Sequence, residues 1–209
     1  MRPQDIPAQI IFDFRQVVDY LLVFARNPVQ AIKLPPDFSW KAILGLQLGF
    51  SAATGVLRAF LNPGLLAFYN GLLFLPLSGL ITTGICTLFF YYTFMFVFQS
   101  VVEFRRLYTV VVLANLAFLL SHVVTPIFFP ADVIGLAATC FLLVIGFTSV
   151  FGLDRKRIQY LVGGLFSIFT AIWIVNAFQN RPGKVEIHQL ATPESLRSEE
   201  RRVGKECLR

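Results

Sequence analysis

The polar side chains best placed to do chemistry in this sequence lie within one apolar stretch. Asn115, Ser121 and His122 interrupt a run of hydrophobic residues, and Thr125 follows about one helical turn later. Asn115 and His122 are about two turns of an α-helix apart, so their side chains fall on nearly the same face. The set predicts either a proton relay or polar binding pocket, or an interhelical hydrogen bond with no further role.

No catalytic or metal-binding pattern accompanies these residues. The sequence contains neither H-E-x-x-H nor G-x-S-x-G, and His122 and His188 lack the spacing of metal ligands. Cys86 and Cys140 fall inside apolar runs, where a thiol packs as a small hydrophobic group. No carboxylate lies at the centre of a predicted span, where ion-coupled transporters often carry one. We therefore expect a protein that is not an enzyme, with no cofactor and no metal.

The elements that position the polar set are predicted to cross a membrane. Residues 59–102 include no Asp, Glu, Lys, Arg or His, and charged residues make up 14% of the 209-residue chain. Soluble domains average about 25%, and a spanning helix requires about 20 mostly apolar residues. We predict an all-α polytopic membrane protein with five transmembrane helices, near residues 40–61, 71–99, 107–129, 133–151 and 159–178.

The first 39 residues have a different pattern, which predicts an amphipathic helix. Apolar residues recur there at spacings of three and four: Ile10, Phe14, Val17, Leu21 and Phe24. Such a helix lies along the membrane surface or on the membrane domain. The predicted domains are a cytosolic amphipathic segment (1–39), a transmembrane domain (40–178) and a polar tail (179–209).

Residues 197–209 of the tail resemble a translated sequencing-adapter sequence that recurs at the ends of unrelated predicted proteins. On that interpretation these residues are not native and have no part in the function. The alternative is a genuine, solvated and disordered charged tail.

Basic residues predict the orientation. One loop holds Arg105 and Arg106, and a second holds Arg155, Lys156 and Arg157. With the N-terminus inside, both loops lie inside, and the two outer loops carry no Lys or Arg, as the positive-inside rule requires. Five spans then put the C-terminus outside. The basic loops either bind anionic headgroups or a cytosolic partner, or serve only to set the topology.

The first predicted span carries a row of small residues, Gly45, Gly49 and Ala53, at intervals of four. Such a row lets another helix approach closely. The alternative interpretation is that glycine is simply common in membrane helices.

Three short stretches, in this order, resemble the Yip-domain family of five-span membrane proteins in its bacterial form. They are Asn27-Pro-Val-Gln-Ala-Ile-Lys33, Glu103-Phe-Arg-Arg-Leu-Tyr108 and Gly152-Leu-Asp-Arg-Lys-Arg157. The resemblance covers about residues 10–178, although the proline that family members often have early in the third span is missing. It implies a cytosolic N-terminus and a bacterial cytoplasmic membrane. Eukaryotic relatives act in vesicle traffic with small GTPases and bind one another.

Two functions follow as hypotheses. The first is a non-enzymatic membrane scaffold that organises the bilayer or binds itself or other membrane proteins. The second is a small permease or channel centred on Asn115, Ser121 and His122. The expected partners are the lipid bilayer, other copies of the chain and other membrane proteins, with no nucleic acid.

Overall fold

The structure, a computed structural model, describes residues 7–61, 64–128 and 130–179, and its regular elements there are helical. The helices are α1 (Pro7–Arg26), α2 (Pro28–Lys33), α3 (Trp40–Leu61), α4 (Leu65–Tyr69), α5 (Leu75–Phe96), α6 (Phe104–Val124), α7 (Ala131–Phe151) and α8 (Arg155–Gln179), with a π-helical turn at Asn70–Phe74 before α5. The chain divides into two compact units between Phe166 and Ser167, within α8. The predicted tail, with His188 and Cys207, lies outside the described residues.

Five of these segments are long and apolar enough to cross a membrane: Trp40–Leu61, Asn70–Phe96, Phe104–Val124, Ala131–Phe151 and Arg155–Val175. The predicted all-α, five-span fold is confirmed. The largest difference concerns α6, which begins at Phe104 and ends at Val124 instead of covering 107–129. Pro126 explains the early end, because proline has no N–H to donate a helix hydrogen bond to the His122 carbonyl oxygen.

The predicted amphipathic helix is present as α1 and packs on the membrane helices together with α2. Val17 and Phe24 of α1 are buried, and Ile32 of α2 has no exposed surface. Ile32 lies against Gly146 of α7, where a Cβ would be 3.4 Å from the isoleucine Cγ1. Gly146 is about one and a half turns from the end of α7. The contact therefore lies near one end of the bundle, consistent with an interfacial segment.

A hydrogen bond holds α1 to α2 across the break at Asn27. The Tyr20 hydroxyl donates to the carbonyl oxygen of Ala31 at 2.9 Å. Burial raises the pKa of Tyr20 well above its usual range, which keeps the phenol protonated and able to donate. Asn27 ends α1 and caps α2, since its Oδ1 accepts from the Gln30 amide at 3.2 Å.

Helix α6 forms the centre of the core, and its residues 107–114 are all buried. It joins α7 through Thr139, whose hydroxyl donates to the Ala114 carbonyl oxygen at 3.1 Å. It joins α3 through Tyr108, whose hydroxyl donates to Oε1 of Gln47. The Gln47 amide in turn donates to the Gly79 carbonyl oxygen of α5 at 3.0 Å. Pairing of this kind is what buried polar groups require.

Aromatic contacts establish which helix ends lie together. The Trp40 ring is 6.0 Å from Phe104 and 5.6 Å from Tyr108, centroid to centroid. Helices α3 and α6 therefore begin at the same end of the bundle. Their last residues, and the first residues of α7, meet at the opposite end.

Candidate polar site and open helix face

Three ionisable side chains meet where α3 and α6 end and α7 begins. His122 Nδ1 lies 2.7 Å from Oδ1 of Asp132, and His122 Nε2 is in hydrogen-bond contact with Nη1 of Arg58. The His122 and Asp132 side chains are only 14% and 18% exposed. We call Arg58, His122 and Asp132 the ionic cluster.

His122 links Arg58 of α3 to Asp132 of α7, with one ring nitrogen in contact with each partner. The arrangement engages both ring nitrogens and leaves neither free to act as a base.

Neighbouring groups hold the ionic cluster in place. The Thr125 hydroxyl donates to the same Asp132 oxygen at 2.6 Å, and the Phe118 ring stacks on the His122 ring with centroids 5.6 Å apart. Gly135 lets α7 approach α6 here, since a Cβ at that position would lie 2.6 Å from Cβ of Ser121. A real side chain would push Asp132 away from His122.

The predicted polar set is only partly brought together. His122 belongs to the ionic cluster, but Ser121 turns back on its own helix, where its hydroxyl donates to the Ala117 carbonyl oxygen at 3.1 Å. Asn115 lies about two turns away and is half-buried. Its amide has no hydrogen bond to the ionic cluster. A Ser–His–Asp arrangement of the hydrolase type is thus not formed by Ser121, His122 and Asp132, because Nε2 faces Arg58.

Asp132 and Arg58 are the cluster residues that the sequence analysis missed as site residues. The structure places Asp132 in the first turn of α7. A signal existed: Arg58 and Asp132 fall near the predicted outer ends of spans, His122 lies about two turns from such an end, and alternating spans bring those ends together. Within the described ranges, no three His, Cys, Asp or Glu residues are grouped to hold a metal ion.

The small-residue row on α3 faces away from the core. Gly45, Gly49 and Ala53 are exposed, and a Cβ at either glycine would have nothing within 4 Å. They line an apolar groove of about 410 Å³ between α1 and α3, with Val17, Val18 and Leu21 on its other side. In the part of the chain that the structure describes, no helix occupies this row. The close helix approach that this row predicts is not formed among the described residues.

The close contact between helices lies elsewhere on α3. A Cβ built on Gly55 would collide with the backbone of Gly71, and one built on Gly71 would collide with the backbone of Gly55. Helix α3 and the π-helical turn thus touch backbone to backbone, which only glycine at both positions permits.

The two predicted basic loops lie at the end where α6 and α8 begin. Arg105 pairs with Glu103 at 3.3 Å, and Arg157 pairs with Asp154 at 3.8 Å, both on the surface. Arg106, Arg155 and Lys156 are exposed. The loops are accessible to a headgroup or a partner, and both hypotheses for them stand.

Comparison of the chain with protein-family models, with curated proteins and with solved structures finds no match. The resemblance to the Yip-domain family therefore stays a prediction from the sequence.

Proposed function

We propose that this multi-pass membrane protein is a non-enzymatic scaffold that binds a transmembrane helix of a second copy or of another membrane protein. The observation that carries the proposal is the open row on α3. Two exposed glycines face no atom within 4 Å, at a depth where α3 is apolar enough to lie in the bilayer.

Lipid chains fill such a row less well than a helix does. Between membrane helices there is no hydrophobic driving force, so association depends on van der Waals packing, and small residues allow the closest packing. The row Gly45–Gly49–Ala53 forms one wall of the groove, and α1 forms a second wall. A partner helix would gain contacts with both α3 and α1.

The N-terminal segment supports the same proposal. On α1, Val18, Leu22 and Val23 are 37%, 58% and 55% exposed, although Val17 and Phe24 are buried. This second apolar surface adjoins the groove and suits an interfacial helix that contacts lipid or the partner. The membrane-organising role of the scaffold rests on this surface.

The experiment is the mass of the purified full chain in mild neutral detergent, measured by light scattering during size-exclusion chromatography. Gly49→Leu fills the row and should convert a defined oligomer, or a complex with a copurifying membrane protein, into a monomer. The matched control is Gly84→Leu on α5, where a Cβ also has nothing within 4 Å. A strict monomer without a copurifying protein, or equal loss in the control, would overturn the proposal.

A small permease or channel is the second candidate, favoured by one observation, the half-buried ionic cluster shared by the first, third and fourth spans. This function predicts solute flux in proteoliposomes that is lost in His122→Leu. The absence of flux across a broad panel of solutes would contradict the permease or channel function. The engagement of both His122 nitrogens by protein groups argues against a proton relay through that ring.

A further inference from the structure

Besides contacting His122, Arg58 lines a cavity of about 560 Å³. The cavity lies between α3 on one side and the π-helical turn and the start of α5 on the other. The cavity lies at the end of the bundle opposite the basic loops, because α3 ends there. His122 and Asp132 do not line it. Arg58 therefore connects the ionic cluster to an open space of small-molecule size.

Hydrogen-bonding capacity in this cavity is unused by the described residues. A guanidinium has five N–H donors, and among the described residues Arg58 makes one hydrogen bond, to His122. Asn70 lines the cavity with an exposed amide that has no hydrogen-bond partner in the described ranges. The Ser78 hydroxyl donates to the Leu75 carbonyl oxygen at 3.1 Å, which leaves its oxygen able to accept.

The arrangement suits an oxyanion. Planar N–H donors of arginine match the paired oxygens of phosphate and carboxylate. Asp132 makes its hydrogen bonds to His122 and Thr125 and none to Arg58, so its carboxylate does not occupy the free edge of the guanidinium. The amide of Asn70 adds a second donor at the same cavity.

The remaining walls are apolar or bare backbone. Phe74, Leu75 and Ala59 line the cavity, together with Gly55 and Gly71 at the contact between α3 and the π-helical turn. The turn itself is an i→i+5 segment, a local widening of the helix that is frequent at functional sites. A ligand with an anionic head and an apolar body would have a complementary surface for each part.

We propose that the cavity beside Arg58 binds an oxyanion group, phosphate or carboxylate, carried on an apolar body, with Arg58 and Asn70 as its donors. This site shares no lining residue with the helix groove on α3. The oxyanion proposal can therefore be tested independently of the scaffold proposal.

The experiment is native mass spectrometry of the full chain in neutral detergent, titrated with phosphatidylglycerol. Diacylglycerol with the same acyl chains is the matched probe that lacks the phosphate, and inorganic phosphate is the probe that lacks the chains. We expect saturable binding of phosphatidylglycerol that weakens roughly tenfold or more in Arg58→Gln, as for loss of a hydrogen bond to a charged group. If inorganic phosphate binds as tightly, with the same Arg58 dependence, the ligand is a free oxyanion instead of a lipid head.

Two further variants keep the test decisive. Asn70→Leu changes an exposed side chain, so it should fold, and it should weaken binding as Arg58→Gln does. A variant with Arg155, Lys156 and Arg157 all changed to Gln removes the basic loop at the other end and should keep this binding. Binding unchanged in Arg58→Gln and Asn70→Leu, or lost only in the loop variant, would overturn the proposal, as would equal binding of diacylglycerol.

Discussion

Nδ1 of His122 lies 2.7 Å from Oδ1 of Asp132, and this contact joins the end of α6 to the start of α7. Between the two residues the chain makes a turn that contains Pro126 and Pro130. The contact therefore closes the turn, and it holds the His122 ring where its other nitrogen meets Arg58 of α3. This one pair thus links three helices.

Removing the carboxylate should destabilise the fold. Asp132→Ala leaves Nδ1 of His122 without its carboxylate partner in a site that is less than one-fifth exposed. An unsatisfied polar group of this kind costs about 1–3 kcal/mol, which thermal unfolding in detergent would register as a lower Tm. Glu103→Ala is the control, because that carboxylate is 57% exposed in its pair with Arg105. We expect a change of about 0.5 kcal/mol or less there; equal losses would contradict the role of the ionic cluster.

A methyl group at the contact between α3 and the π-helical turn should be poorly tolerated. In Gly55→Ala the added Cβ meets the Gly71 backbone, which cannot rotate away as a side chain can. Overpacking in a core costs about 1–3 kcal/mol. Because the clash here is with backbone atoms, we expect a loss of stability at the upper end of that range. Thermal unfolding of Gly55→Ala and Gly84→Ala gives the comparison. Gly84 faces open space, so its alanine variant should be neutral or more stable, since alanine favours helix over glycine. A stable Gly55→Ala would show that the helices do not touch here.

The N-terminal segment should behave as part of the core. Ile32 has no exposed surface, whereas Leu34, two residues later, is 83% exposed. Ile32→Ala should cost about 2–5 kcal/mol and should expose α1 to limited proteolysis in membranes. Leu34→Ala should do neither. Proteolysis that spares α1 in Ile32→Ala would mean that the segment is held by lipid alone.

The proposed orientation, N-terminus inside, can be measured with single cysteines in a variant whose native cysteines are replaced by alanine. Gly64→Cys is exposed before α4, and Lys156→Cys is exposed at the start of α8. A membrane-impermeant maleimide should label position 64 in intact cells and position 156 only after permeabilisation. The reverse pattern would place the basic loops outside, against the positive-inside rule.

Local and periodic features were predictable from the sequence. Residues 59–102 lack charge, and spacings of three and four recur in α1, so the number of spans and the presence of α1 followed from composition and period. The end of α6 was placed too late because the apolar character continues past Val124 to Phe128. The proline at 126 outweighs that character, since its missing N–H removes a helix hydrogen bond.

Contacts between distant residues were not predictable in the same way. Arg58 and His122 are separated by 64 positions, and neither residue type nor local period indicates that they pair. The glycine row on α3 is visible in the sequence, but its open environment depends on where α1 lies. No sequence pattern around Gly55 and Gly71 indicates that they touch, because their contact depends on the path of the π-helical turn.

The most direct test of the scaffold proposal is photo-crosslinking in intact membranes. Leu57 continues the row of Gly45, Gly49 and Ala53 by one more interval of four and is 53% exposed, so a benzoyl-phenylalanine there would face the bound partner helix. Ile85 of α5, 63% exposed, is the matched position outside the row. We predict a discrete protein adduct from position 57, identified by mass as a second copy or as another membrane protein, and lipid adducts alone from position 85. Lipid adducts alone from both positions would contradict the proposal.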